Sequence, residues 1–237
     1  MKLLKHFDFQ NMTQLDCRDW TVVERKAWAN KEKQVYVNKS ANLFFDEGLV
    51  IQATLNQGVI ESVRMHTQDK FYFKYGRIDV VAKVPKGKGT WPAVWLMSQH
   101  EKHGGWPRSG EIDLMEHVGN SLDNWLCCLH TESHNHTTNS EYRTDFSIPG
   151  LSDDYQTFSL IWEENRIEYL LNDQSMVVYT RGQEGRDGSS KGWPFDDDEF
   201  YLIINLAMGG TLGGDIDMTS FPQQFRIKEI KIYQPEE

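Results

Sequence analysis

Three carboxylates, Glu111, Asp113 and Glu116, lie within eleven residues of SGEIDLMEHVG, threaded between Ile112, Leu114, Met115 and Val118. Apolar residues at that density read as a strand, whose side chains alternate between faces. Glu111 and Asp113 then share a face, and regular alternation sends Glu116 to the other. Leu114 and Met115 are consecutive apolar residues, which breaks the alternation. A β-bulge at that pair opposes two residues to one on the partner strand, resets the phase and returns Glu116 to the face of the other two acids. Such a row could be a solvated strand face, an oxygen-rich site for a hard cation, or a pair of carboxylates for acid/base work. Retaining glycoside hydrolysis calls for two carboxyl groups ~5–5.5 Å apart, one as nucleophile and one as acid/base. Crowding three like charges also raises at least one pKa, which keeps a general acid protonated near neutral pH. Asp113, between the two glutamates, is placed to hydrogen-bond a neighbour.

The elements that must hold this row read as strands almost throughout. Apolar runs at 48–55, 73–84, 91–97, 111–118, 124–131, 155–164, 166–173, 175–181, 200–208 and 225–233 are separated by turn residues. In the last of these, FRIKEIKIY, Phe, the three Ile and Tyr are expected on one face. No segment of 12 or more residues carries a 3.6-residue period, so helix content should be low. Many short strands without intervening helices imply a sandwich, jelly roll or barrel. No repeat or low-complexity linker divides the chain, and the polar stretch 181–199 is a long loop with strands on both sides. A single domain over 1–237 is the expectation.

A net charge of −10 argues against nucleic acid as partner and disfavours an anionic polysaccharide, since both call for clustered Lys and Arg. Eight Trp exceed what core filling needs, so some are expected at a surface where flat apolar faces meet sugar rings. Cys17, Cys127 and Cys128 cannot all pair and show no zinc spacing. No run approaches a membrane span, and the N-terminal segment lacks an apolar signal core; a cytoplasmic chain, or one whose signal has been removed, is expected.

In order along the chain stand NLFFDEGLVIQA, KYGRIDVVAKVPKGKGTWPAVWLM, GGWPRSGEIDLMEHVG, LHTESHNH, WPFDDDEFYLIINLAMGG and FRIKEIKIYQ. This series, covering about Asn42 to Tyr233, resembles glycoside hydrolase family 16, retaining endo-glycanases on an all-β jelly-roll sandwich of two antiparallel sheets with a concave substrate groove. The extra residue in EIDLME is similar to the laminarinase-like branch, Glu-x-Asp-x-x-Glu, rather than to the unbulged lichenases. The resemblance implies Glu111 as nucleophile, Asp113 as its helper and Glu116 as acid/base, in an endo-β-glucanase acting on β-1,3-glucan or mixed-linkage β-1,3-1,4-glucan. It also places Trp106, Trp91, His130, Asn42, Arg64 and Asn205 near the groove. Trp95, four residues from Trp91 and on the same strand face, is a further candidate, and Trp193 on the long loop is a candidate for one groove end. Trp162 reads as core.

His130, His134 and His136 crowd one segment, but their spacings fit no helix face, so His130 is read as a partner of sugar or carboxylate rather than a metal ligand. GGTLGG at 209–214 lacks the ending of a phosphate cradle and is expected to be a flexible loop. No cofactor is required. Many family members bind a structural calcium partly through an Asp at the position that is Lys228 here, which leaves calcium doubtful. A monomer is expected. Two alternatives stand beside the glucanase: a hydrolase of another β-linked polysaccharide such as a galactan, and a non-catalytic, lectin-like glycan binder.

Overall fold

The computed structural model describes residues 1–26 and 29–236. Among these, two sheets stack face to face around one apolar core running from Phe7 to Ile232. The sheet that carries the carboxylates orders its strands as Tyr142–Ser147, Asn124–His130, Glu111–Glu116, Thr90–Ser98, Phe200–Met208, Arg64–His66 and Thr21–Val22. The opposite sheet centres on Gln156–Glu163, Gly76–Lys83, Gln223–Gln234 and Leu49–Asn56. Among the described residues, strand pairing is antiparallel apart from the short contact of Val35–Tyr36 with Val59–Ser62. This is the expected all-β sandwich. No helix among the described residues is long and apolar enough to cross a membrane.

Alternation builds the core. Ile78, Val80 and Ala82 of one sheet, and Val94, Leu96, Leu202, Ile204 and Leu206 of the other, all point into it and are buried. Removing this much apolar surface from water is the main stabilising term.

Two sequence expectations change for local reasons. The run 73–84 is not one strand. Tyr72–Phe73 pairs with Phe200–Met208, whereas Gly76–Lys83 pairs with Gln156–Glu163 in the other sheet. The chain crosses between sheets at Tyr75 and Gly76, both at positive φ, and a Cβ on Gly76 would lie 1.9 Å from the Tyr233 carbonyl oxygen. Only glycine fits that approach. In Gln223–Gln234, Phe225, Ile227, Ile230 and Ile232 are buried, but the register against Gly76–Lys83 slips between Glu229 and Ile227. This second bulge, at Lys228, reconciles the odd spacing of the isoleucines, and Tyr233 consequently faces away from them. The expected common face of Tyr233 with the isoleucines is therefore corrected. GGTLGG is not wholly a loop: Gly210–Gly213 forms a single helical turn.

Candidate active site

The bulge expected at Leu114–Met115 is present. Against Thr90–Ser98 the register runs Met115 to Val94 and then Asp113 to Trp95, so Leu114 is the extra residue. Against Asn124–His130 three steps, from Asp113 to Glu116, match two, from Cys128 to Leu126. Leu114 and Met115 both enter the core at 0% exposure, and Ile112 joins them. Glu111, Asp113 and Glu116 are left together on the concave face, where all three line the same cavities.

Two adjoining cavities of about 360 and about 430 Å³ meet over the row, sharing Asn30, Trp91, His136 and the three acids. One arm is lined by Glu32, Arg64, Trp95, Met97, Trp106 and Asn205. The other is lined by His130, Asn139, Glu141, Arg143, Thr211 and Leu212. The acids thus sit in mid-groove, with room for chain on either side.

Each glutamate is held by its own tryptophan. Trp91 Nε1 donates to Glu116 Oε1 at 2.8 Å, and Trp106 Nε1 donates to Glu111 Oε2. Trp95 Nε1 donates to Asn205 Oδ1 at 2.8 Å, and the Arg64 guanidinium lies over the Trp95 ring, 4.7 Å from its centroid. This cation–π stack fixes the indole plane along the first arm. Trp106, at 38% exposure, offers a ring face to the groove, flanked by His136 at 5.1 Å and His130 at 6.1 Å between centroids. His130 Nε2 stands 3.4 Å from Asp113 Oδ2.

The row cannot carry three charges near neutral pH. Burial in the groove wall pushes the Glu111 carboxyl up to about 8, and the Asp113 charge adds to the rise. Burial, followed by the charge of Glu116, pushes Asp113 well above the usual carboxylate range. Glu116 is raised as well, again by burial first, with the Trp91 N–H pulling the other way. The charge of Asp113 beside Glu111 is relieved when one carboxyl of the pair holds a proton. Such a cluster can keep one carboxyl protonated and offer another as an anion.

Residues 23–215 match the profile of Glycosyl hydrolases family 16. The chain belongs to this family. It is 33% identical over 180 residues to a beta-glucanase of Rhodothermus marinus, covering 73% of this chain and 62% of that protein. To a glucan endo-1,3-beta-glucosidase of Cryptopygus antarcticus it is 37% identical over 161 residues, covering 65% of this chain and 57% of the relative. The chain thus spans less than two thirds of these two proteins. The crystal structure of a laminarinase from Flavobacterium sp. UMI-01 superposes with a TM-score of 0.90 at 32% identity, covering 98% of this chain and 100% of that one.

Within this family 16 sandwich, the residues singled out from sequence divide clearly. Trp91, Trp95, Trp106, His130, Arg64 and Asn205 surround the carboxylate row. Asn42 does not. It is fully buried, donating through Nδ2 to Gln52 O, Thr54 Oγ1 and Glu61 O at 2.9–3.2 Å, and it ties three backbone segments together away from the groove. Trp193 is likewise corrected. It is 0% exposed, with Nε1 donating to Glu164 O at 2.8 Å, because the long loop folds its aromatic residues into the core. Glu32, Asn139, Glu141, Arg143, Thr211 and Leu212 were not singled out. They come from loops, from the helical turn Gly210–Gly213 and from an edge strand, which no local pattern connects to the row. His136 stood in the histidine-rich segment, where only its neighbour His130 was assigned to the groove. At Lys228, the position to which the resemblance assigns a calcium-ligating Asp in many family members, an ammonium lies 4.2 Å over the Tyr155 ring, and a cation there does not fit a calcium ligand.

Proposed function

We propose that this chain is a retaining endo-β-glucanase that cleaves β-1,3-glucosidic bonds in laminarin-like glucan, or β-1,4 bonds beside a 1,3 link in mixed-linkage glucan. The observation that carries the reading is the bulge at Leu114, which turns Glu111, Asp113 and Glu116 into the middle of a groove open on both sides. The glucanase and laminarinase relatives support the substrate class.

Ionised Glu111 attacks the anomeric carbon as the glycosidic bond breaks, and Glu116 passes its proton to the departing oxygen. Positive charge developing on the sugar favours the anion at Glu111, so the proton shared within the Glu111–Asp113 pair moves onto Asp113. Glu116, now ionised, takes a proton from water, whose oxygen attacks the anomeric carbon and releases Glu111. Trp106 and Trp91 favour the anionic forms of their glutamates, and Trp106 also offers a ring face to a sugar. The chain's own groups supply every step, so the scheme needs no cofactor.

Reducing-end release from laminarin, barley mixed-linkage glucan and agarose, by wild type and by Glu111→Gln, tests this. Release by wild type from the first two and not by the variant is expected. Equal, negligible release by both while glucan still binds would leave a lectin-like binder, and release from agarose alone would move the substrate to galactans.

A further inference from the structure

We propose that Asp113, Cys128 and His130 form a binding site for a thiophilic divalent cation of the zinc or cadmium class, and that its occupation shuts down the carboxylate row. In Asn124–His130 the odd residues Trp125, Cys127 and Leu129 enter the core, so Cys128 and His130 face the groove. Cys128 is paired with Asp113 across the ladder, and His130 with Glu111.

One ligand atom from each of the three residues lies within 4.8 Å of the other two. The 3.4 Å between His130 Nε2 and Asp113 Oδ2 is the edge of a tetrahedron, as expected around an ion with bonds of about 2.0–2.1 Å. All three side chains are more than nine-tenths buried, at 3%, 4% and 7% exposure. Asp113 Oδ2, the carboxylate oxygen that faces His130 Nε2, is buried with no hydrogen-bond partner, a costly condition that a bound cation would relieve. The Cys128 sulfur makes only a 4.0 Å approach to the Leu129 carbonyl.

A sulfur, nitrogen and oxygen set suits zinc-like ions, whereas calcium and magnesium take six or more oxygens. The cavity of about 430 Å³ that the three residues line leaves the fourth position to water. Binding forms a sulfur–metal bond as the Cys128 thiol releases its proton to solvent, and the incoming charge offsets the crowded carboxylates. It also takes Asp113 away from Glu111. The binding stands independently of the glucanase reading; only the inhibitory consequence rests on it.

Titration of the protein with cadmium chloride, following the thiolate-to-metal absorption, is the direct test. One ion per chain with a thiolate band is expected, unchanged in Cys17→Ser. In Cys128→Ser the band should vanish and affinity fall at least ~10-fold, since even outer partners of a ligand carry that much. Absence of a thiolate band in the wild type overturns the site whether or not Cys128→Ser folds, as does a band that survives Cys128→Ser or disappears in Cys17→Ser. Zinc inhibition of laminarin hydrolysis, reversed by a chelator, is the second readout. Hydrolysis that persists at saturating cadmium or zinc overturns the inhibitory consequence. A chain that binds cadmium through its thiolate but hydrolyses no glucan leaves the metal site standing and defeats the glucanase reading instead.

Discussion

The Trp91 indole donates to Glu116 at 2.8 Å from the neighbouring strand, while Trp106 makes the equivalent bond to Glu111 from the preceding loop. An N–H aimed at a carboxylate favours its charged form, so losing it raises the pKa. Trp91→Phe should therefore move the alkaline limb of the kcat profile, which the proposed scheme assigns to the proton on Glu116, upward by roughly 0.5–1 pH unit. Trp106→Phe should instead move the acid limb upward, since in the proposed scheme Glu111 attacks as the anion. Matching pH–rate profiles for the two variants would contradict the division of roles.

Glu111→Gln and Glu116→Gln should each lower kcat by about 10³-fold or more while the thermal transition persists, and Asp113→Asn should cost less, about 10–100-fold. Azide supplied to Glu111→Ala should yield a glycosyl azide of inverted configuration. That product from Glu116→Ala instead would exchange the two assignments.

The bulge has a stability signature. A regular strand would send one of Leu114 and Met115 to the groove, so only one truncation would be severe. Both face the core at 0% exposure, and Leu114→Ala and Met115→Ala should each cost about 2–5 kcal/mol in urea denaturation. A cost under about 1 kcal/mol for either would argue for regular alternation.

Glu111 also sets a pH dependence of stability. Its carboxyl rises from 4.5 to about 8 on folding, so between those values the native state binds more protons than the unfolded chain. Stability then falls as pH increases through that window, and the cost is absent below it. Glu111→Gln removes the titration. Its advantage in Tm should be small at pH 4.5 and grow steadily as the pH is raised to 8. An offset that does not vary with pH would show that Glu111 is not held up by burial.

Trp193 and Trp106 should behave oppositely. Trp193→Ala empties a core position and should destabilise by about 3–5 kcal/mol. Trp106→Ala, at a partly exposed ring, should raise KM for laminarin with little change in denaturation midpoint. A KM effect from Trp193→Ala at full folding would return that residue to the groove.

Long alternating runs announced both sheets, because a strand with one face on the core writes a period of two into its own residues. The strands that escaped notice, among them Leu43–Phe45, Arg64–His66 and the polar Tyr142–Ser147, are too short or too hydrophilic to carry that signature. Their pairing is supplied by neighbours. Likewise Trp193 in its loop gives no local sign that a Glu164 carbonyl waits in the core for its N–H.

By itself, the sequence determined the all-β class, the carboxylate row and the bulge, since each follows from residue type and phase along a single strand. Tertiary structure alone decided which side chains complete the groove. Arg64 over Trp95, His136 beside Trp106 and Cys128 opposite Asp113 become neighbours only through strand order and register. Those contacts depend on pairings between segments far apart in the chain, and no periodicity within one segment encodes them.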